Sequence, residues 1–217
     1  MAGEAAGDIG MQSGGWTIDW QGVKGHITVG TTILAGITQT VSANTHVEYS
    51  PPGEFKKFKD AQGNPEIADV GIAVVGEGPY AEGVGDRKDL TLLTSEQAVI
   101  NKLREQSKKS IVIIISGRPL VVTEQLPKID ALVAAWLPGA EGQGVADGLF
   151  GDYPFTGKSP YTWPRWNSQL PFDFKHLATA GCEAPLFPFG YGLGASDASP
   201  AVLDRPRRAS STRRHQA

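Results

Sequence analysis

Cysteine is nearly absent: Cys182 stands alone among 217 residues. One thiol cannot form an internal disulfide, and no cysteine-based metal site can be assembled from it. The four histidines, His26, His46, His176 and His215, are scattered without metal-ligand spacing, so no metal is expected. No apolar run approaches the length of a membrane span. Residues 1–15 are small and polar, lacking both a basic start and an apolar stretch, and they do not read as a signal peptide. The cellular location stays open. No GxGxxG opens a helix and no GxxxxGKS or GxxxxGKT is present, so no nucleotide or other cofactor is expected. GxSxG is also absent, because Ile114 and Ile115 precede Ser116.

What is abundant is ordinary for a soluble globular protein: 40% hydrophobic and 20% charged residues. One α/β domain of this size buries an ample core. Twenty-seven glycines and fifteen prolines point to many loops and turns. A net charge of −3 gives no reason to expect nucleic acid as a partner, and the absence of a span gives none to expect a membrane. The charge is unevenly placed. Residues 204–217 carry five arginines and one aspartate, a net of +4 that leaves −7 on the rest. This segment is poor in apolar residues and reads as a disordered basic tail, here assigned to 195–217. It is either a solvated extension or a contact for nucleic acid or acidic lipid.

Periodicity organises residues 1–194 as one domain. Residues 1–26 show no regular period and read as loop. Ile33, Leu34, Ile37 and Val41 predict a helix over 31–41. A short strand is expected at 47–49, broken by Ser50-Pro51-Pro52-Gly53. Residues 55–67 are polar and lysine-rich, a surface loop or short helix. A strong strand covers 69–75. A helix over 93–107 carries Val99, Ile100 and Leu103 on its buried stripe, with Thr94 or Ser95 as N-cap and Lys108 and Lys109 at its favourable C-terminal end. Ile111–Ile115 is a strand buried on both faces, as in a parallel sheet. Further strands are expected at 120–123 and 131–136, and a short helix at 144–150. Beyond Gly151 the chain is irregular and rich in proline and aromatics, with Phe187, Phe189 and Tyr191 packing back onto the core. Strands alternating with helices predict an α/β fold with a mostly parallel sheet between helices.

The most chemically suggestive segment is Gly76-Glu77-Gly78-Pro79-Tyr80-Ala81-Glu82-Gly83-Val84-Gly85-Asp86. It holds two carboxylates and an aromatic in a glycine-rich turn at the end of a strand, where α/β sheets place ligand chemistry. Glu82 is the leading candidate for a general acid or base. The glycines of 139–151 could aim backbone N–H groups at a polar ligand, or could simply allow close helix packing.

Several of these segments resemble glycoside hydrolase family 3: GWTIDWQG at 15–22, VGTTIL at 29–34, VVGEGPYAEGVGD at 74–86, IIISGRPLVV at 113–122, ALVAAWLPGAEGQGVADGLFGD at 131–152 and PLFPFGYGL at 185–193. They run in family order over about residues 7–194. The likeness is to the second, C-terminal α/β sandwich domain of the exo-β-glucanase and β-glucosidase branch. The resemblance implies a six-stranded-type sheet truncated at its first strand. It implies hydrolysis of β-glucosides or β-glucan oligosaccharides with retention, Glu82 being the acid/base and Trp20 the sugar platform. Glu77 and Tyr80 take supporting places, Glu77 as a structural group or an orienting hydrogen-bond partner. A raised Glu82 pKa is expected, from the nearby nucleophile and partial burial, with the two carboxyl groups about 5–5.5 Å apart.

The family's nucleophile belongs to an N-terminal barrel that these 217 residues do not contain, and Asp19-Trp20 lies in the wrong domain to replace it. A separate barrel domain, or a second copy of the chain covering the edge left by the first strand, would then be the partner. Two other functions fit the same residues. A stand-alone ester hydrolase would use Ser116 as nucleophile, with His176 and the acids of 77–89. A non-catalytic sugar-binding module would use Trp20.

Overall fold

The computed structural model describes residues 1–55, 62–64 and 66–194. Most of the lysine-rich 55–67 segment and the whole basic tail expected at 195–217 lie outside the described residues.

The elements in chain order are α1 (Ile9–Ser13), α2 (Ile33–Thr40), β1 (Ala68–Gly76), α3 (Thr94–Glu105), β2 (Ser107–Ile115), β3 (Ala131–Trp136) and α4 (Gly142–Phe150). The strands form one parallel sheet in the order β1-β2-β3. The α/β class and the parallel sheet are as expected, but among the described residues the sheet has three strands, not six. Other extended segments make only isolated bridges, among them Ala2 with Ser50 and with Ala73, and Thr91 with Val121. Pro51, Pro52 and Pro119 lack the N–H that would lengthen such ladders. The edge expected to be bare is partly covered, because Ala2 donates to Ile72 O and accepts from Val74 N, both at 2.9 Å.

The sheet divides the core by the alternation of its side chains. Ala73, Val75, Val112 and Ile114 face α3, meeting Val99, Ile100 and Leu103. Ile72, Val74, Ile111, Ile113 and Ile115 face α2 and α4, meeting Ile33, Ile37, Ala146 and Phe150. Each of the larger buried aliphatic side chains contributes roughly 1.5–3 kcal/mol. That two-sided burial explains why β1 and β2 read as continuous apolar runs.

Local chemistry sets the helix ends, with three differences from expectation. Residues 4–13 are ordered rather than loop: a 3-10 turn at Glu4–Ala6 leads to α1, whose N-cap Asp8 accepts from Met11 N and Gly25 N at 2.8 Å. A five-residue helix is too short to show a period. α3 starts after Leu93, and neither Thr94 nor Ser95 caps it. Lys108 and Lys109 belong to β2 rather than closing α3. Parallel pairing draws β2 back to Ser107, opposite Ala68, and the two ammonium groups reach Asp69 and Asp130 at 2.7 Å. By contrast, α2 is capped by Thr32, whose Oγ1 accepts from Ala35 N at 3.1 Å.

The irregular C-terminal stretch does pack onto the core through aromatics. Trp163 is buried between Trp136 and Phe187, its indole donating to Leu120 O at 2.7 Å. Tyr191 stacks on Phe187 with centroids 4.6 Å apart. Phe189 does not join them and is 72% exposed.

Candidate functional site

Parallel strands bring their C-terminal ends to one side, so the turns after β1 and β2 lie together. Gly76 pairs with Ile115, and Glu77 N donates to Ile115 O at 2.9 Å. The turn after β1 carries Glu77, Tyr80 and Glu82. The turn after β2 carries Ser116, Gly117 and Arg118.

A third loop, 15–22, packs against the first turn through glycine. A Cβ on Gly15 would stand 2.1 Å from Tyr80 O, and one on Gly22 would stand 2.7 Å from Pro79 Cβ. Gln21 stitches the two loops, its Oε1 accepting from Ala81 N at 2.9 Å and its Nε2 donating to Glu82 O at 3.4 Å. The result places Trp20 beside Glu82, with the indole Nε1 donating to Glu82 Oε2 at 2.9 Å. Trp20 is 54% exposed, and the ring of Trp16 lies 6.3 Å from it, tilted by 55°. Trp16 and Ile18 both adopt left-handed backbone conformations, with φ of 62° and 67°, a costly arrangement that the surrounding loop contacts sustain.

Glu82 is exposed at the apex of its turn. Its pKa lies below the ordinary carboxylate value, chiefly because the Trp20 indole stabilises the anion. This reverses the expected direction. Among the described residues, no second carboxylate acts on Glu82 and no surface covers it, the two influences expected to raise the value.

Glu77 is the opposite case, 8% exposed and ion-paired twice: Arg87 Nη1 reaches Oε1 at 3.2 Å and Arg118 Nε reaches Oε2 at 3.1 Å. Tyr80 lies beneath Arg118, whose guanidinium carbon is 4.1 Å from the ring centroid. Burial first, then the charge of Glu77, pushes the Tyr80 phenol up to about 12.

Ser116 is 2% exposed, and its hydroxyl donates to Arg118 O at 2.7 Å. His176 is exposed, with Nδ1 2.7 Å from Asp173 Oδ2. The hydroxyl and the imidazole thus have separate partners and form no Ser-His pair. At the start of α4 Gly142 serves close packing, its N donating to Thr31 O at 2.9 Å and a Cβ there meeting Ile33 N at 2.4 Å, whereas Gly139 and Gly144 have open space around them. Among the described residues no cluster of three histidine, cysteine or acidic side chains could hold a metal, and no helix is long and apolar enough to cross a membrane.

Two concavities, of about 430 and 310 Å³, lie along α4 and β3 and include neither Glu82 nor Trp20. The acid and the aromatic sit instead on an open surface. Gln21, Arg87 and Arg118 are contributors that sequence reasoning missed. Arg118 could have been found, since it follows a buried strand just as Glu77 does. Gln21 carries no comparable signal beyond its place next to Trp20.

Comparison with known proteins gives this surface its context. The model of the glycosyl hydrolase family 3 C-terminal domain matches residues 1–195. The chain is 34% identical over 145 residues to a periplasmic beta-glucosidase of Salmonella typhimurium, covering 58% of this chain and 19% of that protein. It is 29% identical over 206 residues to a lysosomal beta glucosidase of Dictyostelium discoideum, covering 89% of this chain and 25% of that protein. A solved structure of a mutant exo-1,3/1,4-beta-glucanase from a Pseudoalteromonas species superposes with a TM-score of 0.74 at 34% identity, covering 96% of this chain and 34% of that one. The chain therefore spans about a fifth to a third of the length of these relatives. With its sheet, its helices and the motif-bearing turns at the strand ends all accounted for, the chain belongs to glycoside hydrolase family 3, as a C-terminal domain of that family.

Proposed function

We propose that this chain supplies the acid/base half of a retaining β-glucosidase or exo-β-glucanase site. The observation that carries the reading is the juxtaposition of Trp20 and Glu82, an exposed carboxylate next to an exposed aromatic ring at the strand ends. The names of the relatives, beta-glucosidases and an exo-1,3/1,4-beta-glucanase, support the same substrate class.

In this reading Trp20 offers a flat apolar face to the C–H face of a pyranose ring. Glu82 protonates the glycosidic oxygen as the leaving group departs. It then takes a proton from the water that hydrolyses the glycosyl-enzyme intermediate. The nucleophilic carboxylate comes from a family 3 barrel, joined to this domain in a longer chain or docked against it. Covering Glu82 and bringing that carboxylate to about 5–5.5 Å reverses the pKa shift, raising it so that the acid is protonated when needed.

The test joins this domain to the barrel of the Pseudoalteromonas exo-β-glucanase and follows release of an aryl β-glucoside. Glu82→Gln should lower turnover by about 10²–10⁴-fold, the usual contribution of a general acid–base. The loss should be smaller for substrates with an acidic leaving group, which departs without a proton. A folded hybrid in which Glu82→Gln keeps full activity on all leaving groups would overturn the assignment. Hydrolysis of a short acyl ester by the 217-residue chain alone, with organophosphate labelling of Ser116, would favour the ester hydrolase instead. Glucoside binding lost in Trp20→Ala, without turnover in any hybrid, would favour a sugar-binding module.

A further inference from the structure

We propose that Arg118 is a positioning residue that fixes the geometry of the Glu82-bearing turn by clamping it at three points. The inference rests on the acid/base reading of Glu82 for its functional meaning, but not for its test.

The clamp is built from the neighbouring strand. Arg118 stands in the turn after β2, and its side chain crosses to the turn after β1. Nε donates to Glu77 Oε2 at 3.1 Å, where the turn begins. The guanidinium plane covers the Tyr80 ring at 4.1 Å, in the middle. Nη2 donates to Gly85 O at 2.6 Å, where the turn closes. Glu82 is the apex between these last two contacts. One planar, forked cation does all three tasks, and a lysine has neither the fork nor the flat face for them.

The surroundings are arranged for this crossing. Ser116 donates to the carbonyl of Arg118 itself at 2.7 Å, fixing the backbone from which the side chain departs. Gly117 leaves space for Tyr80, because a Cβ there would lie 2.8 Å from the phenol oxygen. Gly85 does the same on the other side, where a Cβ would lie 2.4 Å from Tyr80 Cδ2. Arg87 ties the far oxygen of Glu77 to the following segment through Thr91 O at 2.9 Å, so the anchor of the clamp is itself held. The geometry also gives Ser116 a role without nucleophilic chemistry.

The clamp acts on Glu82 by shape. The cation is absent from the influences that hold the Glu82 carboxyl low, which are led by the Trp20 indole bond. Loosening the turn should therefore show as a weakened Trp20–Glu82 hydrogen bond.

The experiment uses the 217-residue protein labelled with ¹⁵N and follows the Trp20 indole N–H resonance, assigned by its loss in Trp20→Phe, through an acid titration. In the unaltered protein the resonance should report a Glu82 midpoint below the ordinary glutamate value. In Arg118→Ala, and in Arg118→Lys where the charge beside Glu77 is kept, the midpoint should move up toward the ordinary value and the resonance should move toward that of a free indole. Either variant, folded by circular dichroism and with midpoint and resonance unchanged, overturns the proposal. If both variants fail to fold, Tyr80→Leu, which removes only the ring under the guanidinium, decides: a midpoint raised toward the ordinary value supports the clamp, and an unchanged midpoint and resonance overturn it. Failure of the acid/base reading leaves these results untouched and appears instead as unimpaired hydrolysis by Glu82→Gln in the barrel hybrid.

Discussion

The Trp20 indole nitrogen lies 2.9 Å from a carboxylate oxygen of Glu82, although the two residues are 62 positions apart in sequence. An aromatic with a donor on its rim is thereby coupled to the candidate proton donor. Replacing Trp20 with phenylalanine keeps a flat apolar face and removes the donor. Glu82 should then titrate higher, because its anion loses the bond that leads the downward shift. Carboxyl ¹³C shifts recorded across an acid titration would show the rise. The sign follows from linkage. A depressed folded value means that the bond helps the fold above the unfolded pKa, and that this help fades as pH falls through the folded value.

Glu77 should matter far more to stability than Glu82. Glu77→Ala leaves the guanidinium groups of Arg87 and Arg118 facing each other around a partly buried gap. Removing one partner of a buried ion pair costs about 3–5 kcal/mol. The exposure of the two arginines places this case toward the lower end, so denaturant unfolding should show a loss of about 3 kcal/mol. Glu82→Gln should lower the midpoint far less in the same assay, losing only the share of one exposed hydrogen bond to Trp20.

The junction between β1 and the turn depends on Gly76. Its φ is +152°, and a Cβ there would lie 1.8 Å from Ile115 O, inside the ladder between β1 and β2. Backbone cannot yield at that point without breaking the register. Gly76→Ala should therefore unfold the domain or leave it soluble only as aggregate, whereas Gly83→Ala, with open space around the site, should cost only the strain of its φ of +76°. Expression followed by circular dichroism distinguishes the two.

Glu96 adds a pH dependence of the opposite sense. It sits in the first turn of α3, half buried, and burial raises its pKa, with the charge of Glu4 adding to the effect. The folded state holds this proton longer than the unfolded state does. Its contribution is thus complete below the unfolded glutamate pKa, and stability falls as pH rises through the raised folded value. Thermal unfolding of Glu96→Gln should match the unaltered protein in acid and gain on it steadily toward neutral pH. A difference that is constant with pH would contradict this.

Much of the frame is legible because it follows from periods along the chain. β3 falls where its apolar run predicts a strand, at Ala131–Trp136. The five consecutive β-branched residues of 111–115 announce a strand covered on both faces, and β2 is buried there on both. The Ile33 and Ile37 spacing announces α2. What fails is set by neighbours. Lys108 and Lys109 look like the end of a helix, yet pairing with β1 pulls them into a strand. The segments 47–49 and 120–123 have strand composition, but their partners meet them at a single bridge or not at all.

The site divides in the same way. Sequence alone determined that an acid would stand at a strand end, because a glycine-rich turn after an apolar run can hold it nowhere else, and motif order carried the family. Tertiary structure alone decided what the acid touches. The approach of Gly15 to Tyr80, the Gln21 stitches and the reach of Arg118 all join residues far apart in the chain. A pKa depends on such contacts through space. That is why Glu82 could be found by reading, while the direction of its shift had to be found in the fold.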